Sequence, residues 1–515
     1  MKASARSSLF VALAAAFAVA LVGCGGGGTS VAPSNGSQTS AGPVNVYFTI
    51  TVPKSTDSAD RLARSVSPET LSVGIAQCGP PAPGSCNATA QFFNVSSGSC
   101  NSGCQIGPVG TTNGTIRFVI NTWSGTNGSG NILDTFSVNE TIAGGSNNTF
   151  NIALGPVVSS TADSGAGTLR DAIANAHSGD TIAFFVGGTN PSSVSRRLKS
   201  CPCQISLAST LPTISGKTLT ITGPGKTQLT IGGTSPGSEN VQLFNVSNTG
   251  NLTLDGMTLA YSTPTGVPGG AIYNNGTLTV GSTGSTSTIV FDHNTASPFA
   301  PNPARGGAIY NDTSGNLTVR AASFTNNSAG QGGAIYSAGT ITVNSAGASF
   351  SGNAANTDGG AIDVASGTAA ISNATFSTNQ AATGGAIEFD VAPTTFSTNT
   401  FTSNSTGTAA TGTGGAVAVE GALTVSETGN TYTSNSAGSA SNQGQGGAVY
   451  TSGGTYTVSG SVFSGNSATG TSGATGGAIF ASGGLVVQQS SGGNSTFDNN
   501  SATAQSNAGP GSACL

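Results

Sequence analysis

Gly269-Gly270-Ala271-Ile272 is followed by Phe291-x-x-Asn294, and the pair keeps returning. Gly-Gly-Ala with Ile or Val starts again at Gly306, Gly332, Gly359, Gly384, Gly414, Gly446 and Gly476. The answering aromatic and Asn are Phe324–Asn327, Phe350–Asn353, Phe376–Asn379, Phe401–Asn404, Tyr432–Asn435, Phe463–Asn466 and Phe497–Asn500. The period runs from 25 to 37 residues. A two-point repeat held this long specifies a solenoid, in which each unit buries its apolar face only against its neighbours.

One unit gives the coil. Ile272 points inward and Tyr273 outward. After the Asn274–Gly276 turn, Leu278 and Val280 point inward between Thr277 and Thr279; Phe291 is again inward and Asn294 takes a corner. Three short strands per coil with Asn at one corner predict a right-handed parallel β-helix. Stacked Asn amides bond along their own ladder and to the turn backbone. Gly-Gly-Ala serves a corner where a side chain would clash or φ is positive.

Charge is scarce, at 6% of residues, while apolar residues reach 36% and recur in register, so the repeats are expected to fold. From Thr227 onward Arg305 and Arg320 are the only basic residues, against eleven acids. A nucleic-acid partner needs clustered Lys and Arg for its phosphates, so it is not expected.

The N-terminus reads as an address. Lys2 and Arg6 precede the apolar run Leu9–Ala20, too short to span a membrane and suited to a secretory signal. Leu21-Val22-Gly23-Cys24 resembles the lipobox of bacterial lipoproteins. That resemblance implies lipidation at Cys24, an anchor in the membrane, and a place at the cell surface or outer membrane, since Gly25 rather than Asp follows. Residues 1–24 are thus the signal peptide and 25–44 a Gly/Ser/Thr/Pro-rich tether.

Residues 45–157 have another texture: Val46–Val52, Leu71–Ile75, Thr115–Trp123, Asn131–Val138 and Thr149–Leu154 alternate like strands. They predict an immunoglobulin-like antiparallel sandwich, a stalk with Trp123 in its core. Export permits disulfides among Cys78, Cys86, Cys100 and Cys104, with connectivity open; Cys201 and Cys203 are further candidates, as a strained disulfide or a redox pair, with a structural loop the favoured reading of Cys201-Pro-Cys203. Residues 158–268 form a cap and the first coils. There Leu169, Ile173 and Ala176 share one face of a short helix before Gly179-Asp180 turns into a strand. Residues 269–515 carry the eight repeats. The fold class is therefore all-β, a right-handed parallel β-helix solenoid preceded by a small antiparallel β-sandwich.

Gly-Gly-Ala-Ile with Phe-x-x-Asn resembles the polymorphic outer membrane protein repeat of bacterial surface proteins, and Gly167-Thr168-Leu169-Arg170-Asp171-Ala172-Ile173 resembles the cap that often precedes such helices. The resemblance implies a pectin-lyase-like β-helix and a surface location. The C-terminal autotransporter barrel of the related adhesins has no counterpart before Leu515, so anchoring is expected to pass to Cys24.

The residue after each Gly-Gly-Ala-Ile/Val forms one outward column: Tyr273, Tyr310, Tyr336, Asp363, Glu388, Ala418, Tyr450 and Phe480. Tyr273, Tyr310, Tyr336 and Tyr450 are candidate ligand-binding residues, for sugar rings or a protein partner, or else a ladder that only stabilises the helix. Asp363 and Glu388, with Asp390, are expected as solvated acids, as a Ca²⁺ site, or as a carboxylate pair at a retaining glycosidase's spacing. Glu420 and Glu427 would add charge two coils on, and Arg320 is the basic residue considered with them. No catalytic residue and no cofactor is expected, Ca²⁺ aside. The expected function is lipid-anchored, non-enzymatic binding of a surface glycan or protein; the alternative is a β-helix carbohydrate-active enzyme, a polysaccharide lyase or glycoside hydrolase.

Overall fold

The computed structural model describes residues 44–50, 70–78, 90–96, 100, 104–144, 148–151, 155–184, 202–235, 240–284, 286, 288–297, 303–407, 411–439, 443–471, 473–488 and 494–504. Cys24 and the tether lie outside them, as do Cys86 and Cys201. Among the described residues no helix is long and apolar enough to cross a membrane.

Two layers form the N-terminal module. Val44–Ile50 lies between Cys104–Thr111 and Asn148–Asn151 in one sheet. The second runs Gln91–Asn94, Ser72–Cys78, Gly114–Trp123, Ile132–Ile142 and Gly155–Val158. Alternation along Val44–Ile50 turns Val46 and Phe48 inward, where they meet Val73, Ile75, Phe118 and Ile120. Phe48 and Phe118 pack edge to face with centroids 5.1 Å apart. Trp123 is buried beside Ile132 and Val157. Cys100 and Cys104 are joined by a disulfide; Cys78 and Cys203 are each engaged in a disulfide of their own, not with one another.

The strand Gly155–Val158 does double duty. It pairs antiparallel with Ile132–Ile142 and parallel with Asp180–Phe184, the first strand of the solenoid. Sandwich and β-helix therefore share one 16-stranded sheet, and the boundary expected at residue 157 falls inside this strand. The helix Leu169–Asn175 follows, capped by Thr168 Oγ1, which accepts from Asp171 N at 3.2 Å. Its Leu169, Ala172 and Ile173 are buried against the first coils.

From there the chain winds a right-handed parallel β-helix of about ten turns. Three stacks of parallel strands run its length. One is the shared sheet with its outward Thr and inward Leu, Ile and Val; an 11-stranded sheet carries the Phe residues; a nine-stranded sheet carries the strand after each Gly-Gly-Ala. In the last, Ile272, Ile309, Ile335, Ile362, Ile387, Val417, Val449 and Ile479 pair in strict succession, all fully buried. Phe291, Phe324, Phe350, Phe376, Phe401, Tyr432, Phe463 and Phe497 stack with centroids 4.6 to 4.9 Å apart, the rise of a parallel-strand ladder.

The two glycines of each repeat are needed for different reasons. Gly332 has φ +60°, and a Cβ there would lie 2.2 Å from Ile335 O. A Cβ on Gly333 would lie 2.1 Å from Gly360 O in the next coil. The first glycine makes the bend, and the second allows neighbouring coils to touch.

The corner asparagines form one continuous buried ladder. Asn379 Nδ2 donates to Phe350 O at 3.0 Å in the preceding coil and to Asn404 Oδ1 at 2.9 Å in the next. Its Oδ1 accepts from Asn353 N and Asn353 Nδ2, both at 3.0 Å. The same four-bond pattern recurs at Asn327, Asn353, Asn404, Asn435 and Asn466. The residue before the corner Asn is left-handed even where it is not Gly: φ is 52° at His293, 55° at Asn326 and 54° at Thr378. His293 is thus a turn residue whose ring stacks on Tyr261.

Asn379→Ala removes four buried hydrogen bonds, leaves Asn353 N without its acceptor, and should cost about 3–5 kcal/mol. Asn500→Ala, at the half-buried end of the ladder, should cost about 1 kcal/mol. Thermal and urea unfolding of the two variants measures the difference, and equal effects would contradict the ladder's role.

Candidate functional site

Strand pairing turns the variable position of the repeat into a vertical column. Tyr273 pairs with Tyr310, Tyr310 with Tyr336, Tyr336 with Asp363, Asp363 with Glu388, and Glu388 with Ala418; Tyr450 and Phe480 follow. The rings of Tyr273, Tyr310 and Tyr336 stack at 5.6 and 5.3 Å, and Tyr450 stacks on Phe480 at 5.6 Å. Their faces are turned to one another; Tyr273 and Tyr310 remain half-buried and Tyr336 is buried. The Tyr273 hydroxyl donates to the Asp312 carboxylate. Burial, opposed by Arg305 and reinforced by Asp363, Tyr310 and Asp390, pushes the Tyr336 phenol up to about 12.

A second column lies beside the first. The residue immediately before each Gly-Gly pairs from coil to coil, Arg305 with Gln331 and Asp358 with Thr383. Arg305 Nε donates to Gln331 Oε1 at 2.8 Å, and Gln331 Nε2 donates to Asp358 Oδ2 at 2.9 Å. The Arg305 guanidinium carbon sits 4.7 Å from the Tyr336 ring centroid, a cation–π contact. Arg305, not Arg320, is therefore the base beside the acids. Arg320 follows the strand Asn316–Val319, on the Thr-bearing sheet.

The acids are not solvated as one expectation had it. The column sinks over four coils: Tyr336 is 6% exposed, Asp363 1%, Glu388 3% and Ala418 0%. Outward parity here leads under the surface, while Asp390 stays exposed at the rim. One oxygen from each of Asp363, Glu388 and Asp390 lies within 4.8 Å of the others. Burial pushes both buried carboxyls up. Asp358 and Asp390 raise both further, Asp363 acts on Glu388 in the same sense, and Glu388 rises further than Asp363. Two like charges this close cannot both ionise freely.

Glu427 is also not surface charge. It points into the core, fully buried, and accepts from the hydroxyls of Tyr432 at 2.5 Å and Tyr456 at 2.9 Å and from Asn430 Nδ2 at 3.0 Å. Burial raises its carboxyl and these bonds oppose the rise. Glu420, half-buried, is pushed up by burial and by Asp390 and Asp358.

A parallel β-helix with stacked Asn and Phe ladders, carrying one sunken acidic cluster, is the class defined here. Residues 321–338, from one Phe-x-x-Asn corner through the next Gly-Gly-Ala-Ile-Tyr, match the Chlamydia polymorphic membrane protein (Chlamydia_PMP) repeat. No curated protein and no solved structure matches the chain.

The raised carboxyls fix a pH dependence. The folded state holds protons that the unfolded chain releases, so the stabilisation from Asp363 and Glu388 is complete below the ordinary values of about 4 and is lost as pH rises through the folded ones. In chelator-treated buffer the unfolding midpoint should fall from acid to alkaline pH. Glu388→Gln should flatten that slope and gain roughly 1–3 kcal/mol on the alkaline side, with no gain in acid. A parallel loss in both proteins would refute this.

Proposed function

We propose that this chain is an exported surface protein, held by a lipid on Cys24, whose β-helix is a rigid, non-enzymatic rod that binds a glycan or protein partner. The observation carrying the proposal is the Chlamydia polymorphic membrane protein repeat at residues 321–338, set within a solenoid that repeats its two signatures throughout. A family of membrane proteins supports an outer-membrane or surface location. Scarce basic charge argues against direct docking to nucleic acid or to anionic lipid.

The stacked tyrosines refine how a partner would be held. A sugar stacks on a free ring face, and the faces of Tyr273, Tyr310 and Tyr336 are turned toward one another. The part-exposed edges of Tyr273 and Tyr310, with the Arg305 guanidinium, are the groups offered outward. Recognition would therefore rest on hydrogen bonds along a strip about one residue wide.

The same geometry favours a second reading at one point. Asp363, Glu388 and Asp390 converge with Arg305 within electrostatic reach of Asp363, the combination a polysaccharide lyase or glycoside hydrolase uses. Turnover of an acidic polysaccharide that disappears in Asp363→Asn would establish that reading.

Two measurements test the first proposal. Incorporation of labelled fatty acid should vanish in Cys24→Ala, and persistence would reject the anchor. On a glycan or cell-binding assay, Tyr310→Phe keeps the stack and removes a hydroxyl; it should weaken binding by about 0.5–1.5 kcal/mol, roughly 2- to 13-fold. Binding unchanged by that substitution would exclude this strip.

A further inference from the structure

Asp363 and Glu388 face each other from paired strands of adjacent coils, and Asp390 lies two residues beyond Glu388 at the rim. Asp363 Oδ1 and Glu388 Oε2 are buried oxygens that no donor reaches. An acceptor buried without a partner costs about 1–3 kcal/mol, and more when charged. Arg305 supplies one positive charge within reach of Asp363, against several acids. Asp358 and Glu420 add two more acids, Tyr336 is a phenol, and Arg305 is engaged by Gln331 and the Tyr336 ring. A proton on Glu388 bridges it to Asp363 and Asp390, but Asp363 Oδ1 and Glu388 Oε2 still have no partner.

We infer that Asp363, Glu388 and Asp390 form a binding site for one divalent cation of the hard, oxygen-seeking class, Ca²⁺. The choice of ion follows from the donor set. Three carboxylates from the protein give an all-oxygen, irregular set within 4.8 Å of one another, which Ca²⁺ accepts in its flexible coordination, whereas Mg²⁺ demands near-ideal octahedral geometry and keeps most of its waters. The spacing is rigid because the strand register sets it: Ile362 pairs with Ile387 and Val364 with Phe389 on either side of the two buried acids. Three carboxylates leave coordination positions on the side of exposed Asp390 for water or for an oxygen of a bound molecule. The site stands whether or not the rod binds a surface partner.

Full-length protein stripped with chelator would be titrated with Ca²⁺ and then Mg²⁺ near neutral pH by calorimetry, with the unfolding midpoint followed in parallel. The expected result is a single Ca²⁺ per chain, about tenfold preference over Mg²⁺, and a raised midpoint with Ca²⁺. Glu388→Gln and Asp390→Asn should each weaken Ca²⁺ by about tenfold or more; the second sits at the exposed rim and cannot act by unfolding the coil. Asp312→Asn, three coils from Glu388 in the same strip, should bind as the parent does. No Ca²⁺ binding by the parent, or binding untouched by both ligand variants, would overturn the site.

Discussion

The corner asparagine ladder is the interaction on which this molecule rests. Each Asn ties its own coil to the one before through a carbonyl and to the one after through an amide, and receives two bonds in return. Its side chain is fully buried, so every one of those bonds replaces water that cannot enter. This explains how the repeat period can range from 25 to 37 residues without loss of register. Extra residues leave the coil between corners, and the next Asn re-enters at the same point. The Phe stack and the paired glycines then follow, because neighbouring coils are already held at one strand spacing.

Such a scaffold is uniform by construction, and specificity has to come from positions the scaffold leaves free. Two adjacent columns are free here: the one after Gly-Gly-Ala-Ile/Val and the one before the glycines. They cooperate over three coils, where Arg305, Gln331 and Asp358 run in a hydrogen-bonded relay beside Tyr336 and Asp363. Elsewhere these columns hold Pro268, Gln445, Thr, Ala and aromatic residues, and among the described residues they show no comparable hydrogen-bonded relay. Chemistry is thus concentrated in one short stretch of a long regular rod.

Most of the fold was legible in the sequence, because burial in a solenoid follows a period of two along each strand and a fixed corner in each coil. Ile272, Leu278, Val280 and Phe291 all lie inside and Asn294 at its corner. In the sandwich, Val44–Ile50 was visible by alternation, whereas Cys104–Thr111 was not. Its Gly107-Pro108 interrupts the pattern, which an edge strand tolerates. The candidate site was less legible. Parity identified Asp363 and Glu388 as outward but equated outward with solvated. It also drew Glu427 as surface charge, although Val425 and Glu427 share the inward parity that buries both. Arg305 was overlooked because its closeness to the acids appears only when the residue before each Gly-Gly is aligned across coils.

The strand Gly155–Val158 has a mechanical meaning. Because it is hydrogen-bonded to the sandwich on one side and to the first coil on the other, no hinge separates the two. A load applied at one module reaches the other through sheet bonds, so bending there requires breaking a strand pair. The sandwich also occupies what would otherwise be the free starting edge of the shared sheet. The N-terminal module is therefore less a swivelling stalk than a fixed bracket, and whatever direction it is set in is the direction the rod points.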